Sequence, residues 1–202
     1  MSRPTATQID DAILDAAAGL FASHGVAGTS VAQIAGAVGY SKTGLLHRFA
    51  SKQALVDAVL VDTRRRAEGV VESLVGLAAG PARDVAAVKA VVDIALERPG
   101  QVTLVLAAFT SGPAAVTSRP QDPLLVDVED AIAGIFGDDA TDPDPDDERA
   151  VTRSVRVATA LAGIAVTTPL LQEHARRHGL NQARHLAVTV ALDALGVPAD
   201  AR

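Results

Sequence analysis

Cysteine and tryptophan are absent from the 202-residue chain, which has one Met, one Tyr and four Phe. Without thiols there is no disulfide, no thiolate nucleophile and no Cys-ligated metal. A core that is 2% aromatic is built from small aliphatic side chains. Many Ala and Leu with few aromatics favour helices over sheets. No strand pattern of useful length and no internal repeat is present. Long apolar runs are also missing. The longest uncharged one, Val157 to Leu171, contains Pro169 and is shorter than the ~20 residues a spanning helix needs. "MSRPTATQIDD" lacks the apolar segment of a signal peptide. These absences point to a soluble cytoplasmic protein.

A further absence is local. The net charge is −6, yet no Asp or Glu occurs from Ala16 to Val56. Residues 1–66 hold seven Lys/Arg against five Asp/Glu, and residues 67–202 hold eleven against nineteen. An acidic total therefore does not exclude a basic local face, which is all that nucleic-acid binding needs.

What is present is helical punctuation. Thr7 is placed to cap a first helix that Gly25 ends. Ser30 and Gln33 have capping-box spacing for a second, running to about Val38. After Gly39 a short third helix is expected over Ser41–Phe49. Ser51 opens a fourth, from Lys52 to about Leu77. Further helices are expected over Asp84–Glu97, Gln101–Thr110, Leu124–Phe136 and Glu148–His178, with Pro169 a kink or break in the last of these. Asn181 is placed to cap a final helix to Leu195. "GDDATDPDPDD" reads as a solvated acidic linker.

The second and third helices carry the chemistry. Ala35 and Gly39 stand four apart, a small residue for close approach and a glycine for the turn. Ile34 and Leu45 are apolar where the two helices would pack. The result is a helix-turn-helix whose third helix enters a DNA major groove. Ser41, Lys42, Thr43 and His47 would face bases or phosphates, with Tyr40 and Arg48 beside them. Gly44 would permit close backbone approach. Thr29, Ser30 and Lys52 stand at helix starts, where backbone N–H groups suit phosphates. An acid on this face would repel DNA, which accounts for the gap.

"TSVAQIAGAVGYSKTGLLHRFASKQAL", Thr29 to Leu55, resembles the DNA-binding signature of TetR-like transcriptional regulators, and the resemblance spans roughly Gln8 to Val61. Leu46 stands where that family commonly has a phosphate-touching Tyr, so that contact is lost here. The resemblance implies an all-α homodimer with an N-terminal helix-turn-helix domain, 1–51. It also implies a C-terminal helical domain for effector binding and dimerisation, 52–202, with helix four linking the two. The implied function is a repressor that binds a palindromic DNA operator and is released by a small effector.

The implied effector pocket would draw Thr103, Leu104, Leu106, Phe109 and Thr110 from one segment. Val126 and Ile132 would come from a second, and Thr159, Leu161 and Ile164 from a third. Such a lining suits a mostly apolar, uncharged molecule. The last two helices would pair with their symmetry mates through Val155, Ala158, Ala162, Ala165, Leu186, Val190 and Leu195. His174 and His178 have i, i+4 metal-ligand spacing, but beside Arg176 and Arg177 they read as a cationic helix end. No metal or cofactor is expected. No nucleophile–base pair favours an enzyme. A helix-turn-helix protein governed by a protein partner is the alternative.

Overall fold

The computed structural model describes residues 4–111, 130, 134–137 and 144–201, without the side chains of 109–111. The helices are α1 Ala6–Gly28, α2 Val31–Ala37, α3 Lys42–Arg48, α4 Lys52–Ser73, α5 Pro81–Glu97, α6 Pro99–Ser111, α7 Glu148–His178 and α8 Leu180–Leu195. A 3₁₀ turn follows at Ala199–Ala201. No strand occurs among the described residues. The expected helix over Leu124–Phe136 lies mostly outside them.

The chain divides into two compact units. One is Met1–Arg64 with Gly100–Val126; the other is Arg65–Pro99 with Asp127–Arg202. The first half of α4 and most of α6 thus share a unit with α1–α3. The first unit's core gathers Ile13, Ala17 and Phe21 of α1, Ile34 of α2, Leu45 of α3, Leu55, Val56, Val59 and Leu60 of α4, and Leu104 and Ala108 of α6. This core is aliphatic around one buried aromatic ring, as the composition requires.

Helix ends follow local chemistry, with corrections. Thr5, not Thr7, caps α1: its hydroxyl accepts from Gln8 N (3.2 Å), and Gln8 Oε1 accepts from Thr5 N (2.8 Å). Only Thr5 has a Gln three residues on to close the reciprocal box. Gly25 breaks the regular helix at φ 69°, and a last turn continues to Gly28. Gly179, not Asn181, precedes α8, with φ 95° and no side-chain cap. Pro169 neither breaks nor ends α7. Thr167 and Thr168 just before it donate their hydroxyls back to the Gly163 (2.6 Å) and Ile164 (2.7 Å) carbonyls. Helix α4 stops at Ser73, short of the expected Leu77, and Gly76 follows at φ 86°.

In the second unit α8 packs on α7 and α5. Two arginine pairs tie α7 and α8 to α5. Arg153 of α7 grips the buried Asp84 of α5 with two bonds (2.8 and 3.1 Å) and donates a third to the Phe136 carbonyl (3.1 Å). Arg184 of α8 donates to both carboxylate oxygens of Asp93 (2.5 and 2.8 Å). Asp93 raises the Arg184 pKa further above its ordinary value. Arg83 donates to the carbonyls of Leu74 (3.1 Å), Leu77 (3.2 Å) and Gly134 (2.9 Å), so one guanidinium closes the end of α4. By length and hydropathy α7 is apolar enough to cross a membrane, with a third of its most apolar window buried. Its buried residues, among them Val157, Ala160, Ile164 and Leu171, form one side of the helix.

Candidate nucleic-acid interface

The helix-turn-helix is built by four local devices. Ser30 caps α2: its hydroxyl accepts from Gln33 N (3.2 Å) while Gln33 Oε1 accepts from Ser30 N (2.8 Å). Gly39 turns the chain at φ 72°. Tyr40 N donates to the Ala35 carbonyl (2.8 Å), closing the end of α2 across that turn. Ser41 then caps α3 by accepting from Gly44 N (3.0 Å). Ile34 and Leu45 are fully buried beneath, as their apolar pattern implies.

With both ends fixed, α3 presents an ordered outer face. Ser41, Lys42, Thr43 and His47 are exposed, and Tyr40, Gly44 and Leu46 are half-buried beside them. Gly44 leaves room over its Cα: a side chain there would press the Ser41 hydroxyl at 3.2 Å. Ser30 is exposed at the start of α2. Lys42 is the one exposed ammonium on this helix.

Three residues assigned to the DNA face have other partners. Thr29 is only 2% exposed, and its hydroxyl donates to the Leu20 (3.1 Å) and Gly25 (2.8 Å) carbonyls. Its side chain fastens the end of α1 and does not reach the surface. Arg48 donates to Asp10 (2.6 Å) and to the Ala6 carbonyl (3.1 Å), tying α3 to the start of α1. The Asp10 hydrogen bond raises its pKa above the usual guanidinium value. Lys52 is half-buried, and its ammonium donates to the Val26 (2.7 Å) and Thr29 (3.1 Å) carbonyls. It therefore closes the chain turn that follows α1. An ammonium has three donors, so one remains.

The residues assigned to an effector pocket belong to both units. Leu104 is buried in the first unit's core, with Thr103 and Leu106 half-buried on the same helix. Ile164 is buried and Leu161 half-buried in the second unit. Thr159 is exposed and donates to its own helix at the Val155 carbonyl (2.7 Å), because i−4 back-bonding turns the hydroxyl away from the core. The side chains of Phe109 and Thr110, and residues Val126 and Ile132, lie outside the described residues. Within the second unit an open cleft of about 420 Å³ is lined by Glu148, Arg149, Thr152, Arg153, Arg156 and Leu195.

Of the residues assigned to the dimer, Val155, Leu186 and Val190 are exposed, as is Ala158, while Ala162 is half-buried. Ala165 and Leu195 are each 5% exposed and belong to the unit's own core, since they fall on the buried side of their helices. On α7 two more exposed residues of the same kind, Val166 and Leu170, carry no mark in the sequence. Near the helix end the His174 and His178 rings lie 4.5 Å apart. Glu173 is held by Arg176 (2.5 Å) and Arg177 (2.6 Å), whose hydrogen bonds keep its carboxyl below the usual pKa. Among the described residues no group of three or more His, Asp or Glu is placed to hold a metal ion.

Residues 13–59 match the family described as bacterial regulatory proteins, tetR family. No curated protein matches the sequence. Among solved structures, a tetR family transcription regulator from Shewanella sp. PV-4 is 20% identical, over 92% of this chain and 97% of that one, with a TM-score of 0.47. The tetR family transcriptional regulator PfmR from Thermus thermophilus is 22% identical, over 96% and 97%, with a TM-score of 0.48. AmtR from Mycobacterium smegmatis is 22% identical, over 98% and 98%, with a TM-score of 0.45. At these values the likenesses assign no residue a role.

Proposed function

We propose that the chain, whose residues 13–59 match the tetR family of bacterial regulatory proteins, is a cytoplasmic, ligand-responsive repressor that binds a palindromic operator as a homodimer. One observation carries the reading: a helix capped at its start and pinned at its end offers Ser41, Lys42, Thr43 and His47 to solvent, within a stretch free of acids. Its N-terminal part suits a major groove. Two copies related by a two-fold axis would read half-sites about 34–36 Å apart, or a multiple of that. Ser30 and the remaining donor of Lys52 suit phosphates. Arg48 and Thr29 serve the module from within.

The domain boundary proposed at 51/52 makes α4 the link. That helix is continuous from Lys52 to Ser73, so a small, mostly apolar effector would act on DNA by tilting it. Release requires that the effector prefer the non-binding conformation, by about 1–3 kcal/mol for an ordinary coupling.

Substitution separates the roles on the DNA face. Lys42→Ala is expected to weaken operator binding by about tenfold, the loss of one good base or phosphate contact. Lys52→Ala is expected to weaken all sequences alike and to lower the salt slope by about 1. It also leaves the Val26 and Thr29 carbonyls without their ammonium, so its thermal unfolding temperature falls too, whereas that of Lys42→Ala does not. Operator fragments selected from genomic DNA, followed by fluorescence anisotropy at several salt concentrations, give the measurement. Wild-type affinity and slope in both variants would mean that the protein docks through another face.

A further inference from the structure

We infer that the cleft at the start of α7 and the end of α8 binds a small hydroxylated organic oxyanion. Arg149, Arg153 and Arg156 stand at i, i+4 and i+7 of α7, so all three lie on one side of the helix. Like charges at this spacing repel. Arg153 is neutralised by Asp84. Among the described residues neither Arg149 nor Arg156 has an ion-pair partner. Two guanidiniums therefore face the cleft against a single carboxylate, Glu148.

Arg156 is also positioned. Its guanidinium lies against the backbone of Gly196, where an added Cβ would sit 2.5 Å from Nη1 and 2.9 Å from Cζ. Gly196 adopts φ 74° to end α8. The glycine thus both terminates one helix and makes the space in which the other helix's arginine rests. A guanidinium held this way loses little freedom on binding.

The lining defines the ligand class. A planar carboxylate or a phosphate is matched by paired guanidinium forks. Glu148 and the exposed Thr152 accept from hydroxyl groups, and Leu195 offers a small apolar contact. A bare anion would face Glu148 without a proton to offer it. An apolar molecule would desolvate two arginines with nothing in return. A volume of about 420 Å³ lies in the range of ligand pockets, ~300–1,000 Å³. The site shares no residue with the apolar lining proposed for the effector and does not depend on it.

Calorimetry and thermal unfolding of the full chain test this with citrate and glycerol 3-phosphate as probes. Glycerol, choline and sodium chloride at matched ionic strength are the controls. Both acids are expected to bind saturably and to raise the melting temperature, and the controls to do neither. Arg149→Gln with Arg156→Gln is expected to lower affinity at least about tenfold, since two charge-assisted contacts are lost. Glu148→Gln is expected to favour inorganic phosphate, by removing the opposing charge. Circular dichroism verifies that the variants fold. Should the double variant unfold, Arg149→Gln alone, at the exposed start of the helix, is held to a threefold loss. Equal effects of citrate and sodium chloride, or wild-type affinity in the folded arginine variant, would overturn the inference.

Discussion

Gly100→Ala is expected to destabilise the protein by about 3 kcal/mol or more, although alanine is the better helix former by ~1 kcal/mol. Gly100 stands in the first turn of α6, buried against α1. A Cβ there would fall inside the van der Waals radius of the Asp15 carbonyl oxygen and 2.9 Å from Gly19 N. These are backbone atoms in the middle of a helix, so neither can swing aside. Helix α6 must retreat. It would then lose the Asp15 carboxylate, which accepts from Gly100 N (2.9 Å) and Gln101 N (3.2 Å) and so caps α6 from another helix. It would also strain the bond from Gln101 Nε2 to Asp62 (2.5 Å), where both residues are buried. Steric and capping losses together exceed the propensity gain. For a chain of this size the melting temperature should fall by roughly 6–12 °C. Gly19→Ala is the control, because its Cβ would meet Gly100 at an ordinary 3.4 Å. Thermal unfolding by circular dichroism compares the three proteins. A Gly100→Ala protein as stable as wild type would mean that α1 and α6 are not locked in this way.

The same joint shows what a sequence reveals and what it withholds. Ser30 with Gln33 and the turn at Gly39 were legible because their partners lie within five residues. Each works through a backbone bond that spacing alone implies. The acid-free face was legible for a similar reason, since it is a property of one contiguous stretch. Asp15 and Gly100 are 85 residues apart, and nothing local marks either as a cap or a crossing point. Asp84 and Arg153, 69 apart, were equally silent. Thr29 and Lys52 show how a side chain can also be drawn to the fold. Their types suit phosphate contacts, yet carbonyls around the end of α1 need donors, and these two side chains supply them. For Thr29, 2% exposed, the backbone takes the whole hydroxyl, while Lys52 keeps one donor. The effector lining was the least legible part, because apolar helical positions do not announce whether they fill a core or border a cavity.

If the chain is the operator-binding homodimer proposed above, Val166→Asp with Leu170→Asp is expected to leave a monomer and to cut operator affinity by at least about a hundredfold. Val155, Val166 and Leu170 on α7, with Leu186 and Val190 on α8, are exposed by 46% to 69%. On α7, Val155, Thr159, Ala162, Val166 and Leu170 follow one another at three- and four-residue steps, so they share a single stripe. The side of α7 turned away from it already packs on the unit's own core. Gly163, beside the stripe, has nothing within 4 Å of where a Cβ would stand and would let another helix come close. Large aliphatic side chains left in water on adjacent positions of one helix mark an association surface. In an isologous pair each substituted residue meets its own symmetry mate or a near neighbour, so two Asp per chain place four carboxylates in one apolar seam. Like charges so confined cost several kcal/mol. Splitting the dimer removes the linkage that makes the second half-site an intramolecular event, worth about 10²–10⁴ in affinity. Light scattering at micromolar concentration reads the mass, and anisotropy on the operator reads the affinity. The substitutions are on exposed positions, so each chain keeps its helices and its melting transition. A dimer that survives both charges, or a wild-type protein that is monomeric, would place the assembly surface elsewhere.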